Sequence, residues 1–159
     1  MSLAKTMDIL FGWLRVSGSV NESDVKKMLR RTASVAVGAA TTTSAQGTAT
    51  LFHVFNNTNQ IKSAYFELGG TTLAASSTNY IDFQLHRKTT QTAATSLVGY
   101  LKSSTAAITN NYAMEMTLVA TNVAGSKGEG LVYQVTRSDV TTGVAASAGV
   151  LTLEYEEID

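Results

Sequence analysis

The chain has no cysteine and no proline among its 159 residues, only two histidines and one tryptophan, and no more than 15% charged residues. Without cysteine, disulfide scaffolds, thiolate metal sites, cysteine nucleophiles and CxxC redox pairs are excluded. The histidines, His53 and His86, each lack a second histidine at the short spacings of zinc motifs. Charge of one sign is missing too: 12 Lys and Arg balance 12 Asp and Glu, whereas a general nucleic-acid binder carries a basic excess. A long apolar run is also absent. Leu3 to Val16 is interrupted by Lys5, Asp8 and Arg15, too short and too charged for a bilayer span, and Asp8 spoils the apolar core of a secretory signal.

Small residues fill the chain instead. Ala (20), Thr (23), Ser (15) and Gly (12) together make 70 of the 159 residues. Threonine is β-branched and stiff at χ1, so its excess favours pleated strands over helices. The length supports one sizeable core and argues against a second domain.

From about residue 33 the apolar pattern has period 2, in short runs between Gly, Asn, Ser and Thr clusters, and each run reads as a strand. Val35 and Val37 form the first run and Leu51–Phe55 the second. Ile61–Leu68 places Ala64, Phe66 and Leu68 on one face, with Lys62 joining that face at its edge. In Tyr80–Arg87, Ile81, Phe83 and Leu85 oppose Asp82, Gln84 and His86. Leu97–Leu101 follows, then Met114, Met116 and Leu118, then Leu131, Tyr133 and Val135, and last Leu151, Leu153 and Tyr155. About eight strands, several with one apolar and one polar face, predict an all-β antiparallel sandwich or jelly roll. Residues 33–159 form this domain and residues 1–32 an N-terminal arm. The arm has room for a short helix, N-capped by Asn21 or Ser23 and ending at Arg30-Arg31; Leu29–Val37 as a first strand is the competing reading.

Charge is unevenly distributed. Residues 1–31 hold six bases and three acids, while Glu154, Glu156, Glu157 and Asp159 crowd the last six positions. A basic arm and an acidic tail can attract each other within or between subunits. Leu10, Phe11, Trp13 and Leu14 make an apolar knot that either packs on its own core or docks on a neighbour, since large aromatics are common interface anchors.

Catalytic constellations are missing. No serine sits in a G-x-S-x-G elbow or a supported S-x-x-K. Asp82 and His86 share a strand face but lie four residues apart, roughly 13 Å, too far to share a proton. The stretch Gly125-Ser126-Lys127-Gly128-Glu129-Gly130 has its lysine before the last glycine and leads into a strand, so it reads as a sheet-connecting turn and not as a phosphate loop. The acids lack calcium-loop order. The sequence therefore predicts no enzyme activity, no cofactor and no metal.

The order of features, Val35-Ala36-Val37-Gly38-Ala39-Ala40-Thr41, the strands Thr50–Phe55 and Ile61–Leu68, Asn79–Leu85, Leu118–Asn122 and Gly149–Tyr155, resembles the small jelly-roll proteins that decorate tailed-bacteriophage heads. The resemblance covers roughly residues 33–157. It implies a virion protein, a cement protein seated as a homotrimer on the outer capsid surface and bound to the major capsid protein, with neither nucleic acid nor membrane as partner. Under it, the interface candidates of the arm are Leu10, Phe11, Trp13, Leu14, Arg30 and Arg31, although this arm is longer and more apolar than a minimal decoration protein needs. The alternative is a trimeric adhesion or receptor-binding head of a virion fibre or tail, contacting carbohydrate through Tyr80, Tyr100 or Tyr112.

Overall fold

A computed structural model describes residues 30–39, 50–89, 95–138 and 144–158. The residues from Arg31 onward form one unit, and all described residues except Arg30 belong to it. Ten strands are described: β1 (Arg30–Val37), β2 (Thr50–Val54), β3 (Thr58–Leu68), β4 (Ile81–Lys88), β5 (Thr95–Lys102), β6 (Ala113–Glu115), β7 (Thr117–Leu118), β8 (Ala124–Gly125), β9 (Gly130–Arg137) and β10 (Gly149–Ile158). One sheet runs β1-β10-β3-β6, with β8 also on β3; the other runs β2-β9-β4-β5-β7. Such interleaving of early and late strands in two facing sheets is the jelly-roll order. The protein is thus an all-β antiparallel sandwich.

The alternation seen in the sequence determines which side chains meet. Ile81, Phe83 and Leu85 of β4 are buried, as are Leu151, Leu153 and Tyr155 of β10 and Leu131, Tyr133 and Val135 of β9. The sheets are joined by aromatic stacking: Phe66 of β3 lies 4.3 Å from Phe83 of β4, centroid to centroid, at 25°. Tyr133 lies near parallel to both, at 6.1 Å and 6.4 Å. Offset stacking of this kind adds about 0.5–1.5 kcal/mol per pair beyond area burial.

Two readings of the sequence change. Met114, Met116 and Leu118 do not lie on one strand: β6 pairs with β3 of the first sheet and β7 with β5 of the second. The break falls at Met116, whose side chain is buried in the core while its N–H donates to the Ala64 carbonyl at 2.8 Å. The chain then crosses to β5, where Val119 N–H donates to Val98 O at 2.8 Å. It returns through a 3₁₀ turn (Ala120–Asn122) to β8, back on β3. One segment thereby stitches the two sheets along one side of the sandwich.

Lys62 is the second change. The register of β3 against β10 skips it, pairing Ser63 with Glu154 and Ile61 with Tyr155. This bulge turns Ile61 into the core, while Lys62 bonds outward to Gln60 Oε1 at 2.6 Å and pairs with Glu156 at 2.9 Å. At the start of β1, Arg30, Arg31 and Thr32 are strand residues. The remainder of the helix candidate lies outside the described residues.

The Tyr133 hydroxyl is buried without a hydrogen-bond partner, and burial pushes its ionisation far above the ordinary value. An unpartnered buried hydroxyl costs free energy that an apolar side chain of the same shape does not. Tyr133→Phe is therefore expected to stabilise the fold by about 1 kcal/mol, read as a higher urea midpoint at unchanged slope.

Candidate functional site

The strict alternation of β4 places Arg87 on the same inner face as Leu85, and Arg87 is 5% exposed. Its guanidinium is surrounded by four acceptors from three segments. Nη1 donates to Glu129 Oε2 at 3.0 Å, Nη2 to Asn59 Oδ1 at 3.2 Å and to Val123 O at 3.0 Å, and Nε to Asn122 O at 3.3 Å. Four of the group's five N–H bonds thus have protein partners. The Phe55 ring lies beneath, 5.4 Å from the guanidinium carbon.

The partners are themselves held. Glu129 Oε2 also accepts from Ser126 N–H at 2.9 Å, and Asn59 Nδ2 donates to Asn57 O at 3.3 Å. The turn Gly125–Gly130 therefore leads from β8 in one sheet to β9 in the other, with Gly128 at φ +85°. A Cβ at Gly125 would fall inside the Arg87 guanidinium, so glycine there is a condition for the cluster. Since the protein itself fills the acceptor positions, this is a structural link with little capacity for an external anion.

His53 and His86 occupy different environments. His53 on β2 meets Phe55 edge-on at 4.8 Å and Tyr155 at 5.1 Å, and its Nε2 is buried without a partner. Burial lowers its basicity below the ordinary value, partly opposed by Glu157. Glu157 in turn accepts from Arg31 at 3.1 Å and Asn57 at 3.3 Å. His86 lies on the outer face of β4 in a row with Gln84 and Asp82. Gln84 Nε2 donates to Asp82 Oδ2 at 2.8 Å, Gln84 Oε1 meets His86 Nε2 at 2.9 Å, and Lys102 Nζ approaches Asp82 at 3.6 Å. The gap of roughly 13 Å expected for four strand residues is bridged by the Gln84 side chain between Asp82 and His86.

Of the interface residues read from the sequence, Leu10, Phe11, Trp13 and Leu14 lie outside the described residues. Arg30 and Arg31 are exposed at the start of β1, and the Arg31–Glu157 pair is one contact of the kind expected between basic arm and acidic tail. Of the three candidate tyrosines, Tyr112 is 65% exposed, while Tyr80 and Tyr100 are half-buried, with Lys102 lying 5.2 Å from the Tyr80 ring centroid. The Arg87 cluster was missed by the sequence reading, although its signal was present: Arg87 continues the odd-numbered apolar face of β4. Among the described residues, no group of three or more His, Asp or Glu side chains could hold a metal ion, and no helix is long and apolar enough to cross a membrane. Comparison with known proteins finds no matching family model, no matching curated protein and no matching solved structure.

Two outcomes are expected. Arg87→Met removes the charged partner of Glu129 and the donor to Asn59 Oδ1 and should cost about 3–5 kcal/mol in urea unfolding; adding Glu129→Leu should recover part of the loss. Because folding lowers the basicity of His53, the unfolded chain binds more protons below its ordinary value of 6.5. Stability should therefore be intact above that pH and fall as the solution is acidified through it. His53→Gln should flatten that slope in urea midpoints taken at successive pH values.

Proposed function

We propose that this protein is a structural component of a bacteriophage virion: a capsid decoration, or cement, protein that binds the outer capsid surface as a homotrimer and holds adjacent capsomers together. The observation that carries the reading is the strand order, β1-β10-β3-β6 facing β2-β9-β4-β5. It is the architecture expected from the resemblance of residues 33–157 to head decoration proteins. Fold alone does not assign function, and the chemistry of the interior adds to it. The buried polar side chains Arg87, Asn59 and Ser103 bond to neighbouring strands and turns, cross-ties of the kind a shell component under load needs. Such a role needs no catalysis, cofactor, nucleic acid or membrane.

A second reading, a trimeric adhesion or receptor-binding head, has one observation in its favour. Tyr112 stands exposed on a turn beside Asn111, whose φ is +53°, and an exposed aromatic is suited to stacking on a sugar ring.

Light scattering of the purified chain should give three copies of 16.8 kDa, about 50 kDa, and the protein should cosediment with expanded heads of its phage. A monomer that stays in the supernatant when those heads are pelleted overturns the proposal. On a glycan array, specific binding abolished by Tyr112→Ala would establish the second reading instead.

A further inference from the structure

The row on the outer face of β4 has a direction imposed by chemistry. An ionised carboxylate only accepts hydrogen bonds, so Gln84 must turn its NH₂ toward Asp82, to which Nε2 donates at 2.8 Å. Its carbonyl then faces His86 Nε2 at 2.9 Å, and a carbonyl requires a donor. The neutral ring of His86 must therefore carry its proton on Nε2, leaving Nδ1 as a lone pair. Nδ1 is buried and has no hydrogen-bond partner. A bare lone pair there is tolerable, but an N–H with no acceptor is costly.

We propose that Asp82, Gln84 and His86 form a proton-sensitive latch on the outer face of the β2-β9-β4-β5 sheet, closed while His86 is neutral and opened when Nδ1 takes a proton from solvent. One proton is taken up and no other bond is made or broken covalently. The charged ring can hydrate Nδ1–H only by leaving its place, and leaving breaks the bond to Gln84. Gln84 is then held by Asp82 alone.

The groups around the ring set its balance. On β4 these are Asp82 and, two residues on, Lys88. On β5 the residues opposite the row are Leu97, Tyr100 and Lys102; on β9 they are Val132, Gln134 and Thr136, none of which is charged. Asp82 favours the protonated ring but is already paired with Lys102. Burial acts the other way and is the larger effect, lowering the basicity of His86 below the ordinary histidine value. The inference concerns the isolated protein and does not rest on the decoration reading.

Nitrogen-15 NMR of the imidazoles in the purified full-length protein tests it without any capsid. At neutral pH, His86 should show a protonated Nε2 and an unprotonated Nδ1. Its titration midpoint should lie below 6.5, the ordinary value, and the Gln84 side-chain amide signals should shift with that same midpoint. In His86→Gln, which keeps a hydrogen-bonding side chain at the position, the acid-dependent Gln84 shift should vanish while the circular dichroism spectrum is unchanged. A ring protonated on Nδ1 at neutral pH, a midpoint at or above 6.5, or Gln84 signals indifferent to the His86 titration would each overturn the latch.

Discussion

A guanidinium removed from water constrains this fold more than any apolar contact does. Desolvating a charge costs several kcal/mol unless an opposite charge and well-aligned acceptors replace the water, so burying Arg87 on β4 obliges other parts of the chain to come to it. Glu129 arrives from the turn before β9, Asn59 from β3, and the carbonyls of Asn122 and Val123 from the 3₁₀ turn and the residue that follows it. These groups belong to both sheets and to the segment between them. Their convergence explains why the chain after β7 returns to β3 as β8, and why the next turn begins with a glycine.

The same constraint gives the sandwich two unlike sides. Along one, β6, β7 and β8 fasten β3 to β5 through a single continuous segment, so the sheets cannot slide there without breaking pairs in both. Along the other, β1 and β2 are the last strands of their sheets among the described residues. Between the two sides the Phe66, Phe83 and Tyr133 rings fill the interior at one end, and His53, Phe55 and Tyr155 form a second group that adjoins the Arg87 cluster through Phe55. Phe55 thus couples the apolar and charged parts of the core.

Most of the sandwich could be read from period-2 patterning, because a strand with one face in a core must alternate. Ile81, Phe83 and Leu85 are the clear example. What escaped that reading lies where one residue's role is decided by a partner far away in sequence. Lys62 looked like an extension of the Ala64–Phe66–Leu68 face, but a bulge against Glu154 and Tyr155 moves Ile61 into the core in its place. Met114, Met116 and Leu118 alternate as one strand would, yet no local signal shows that the pairing changes from β3 to β5 in their midst. Arg87 ends the alternating run of β4 with a charge that period 2 alone does not place, and only Asn59 and Glu129, 28 and 42 positions away, reveal why it is inside. Gln84 escaped notice because the row from Asp82 to His86 was judged by the distance between its ends.

The absence of proline acquires a physical cause in this architecture. Proline removes a backbone donor, and here donors are engaged well beyond the strand ladders. Phe55, Leu73, Ser76, Ser103, Ile108, Asn111, Met116, Val119 and Gly128, many of them in turns or at crossings, each donate a backbone N–H to a carbonyl of another segment. Tyr80 and Ile81 donate theirs to the hydroxyls of Ser138 and Ser103. Where the described connecting segments are tied down this way, proline would remove a tie at many of the positions where loops ordinarily accept it. Among the described segments, a displacement of one sheet is therefore passed to the other through hydrogen bonds and packed rings.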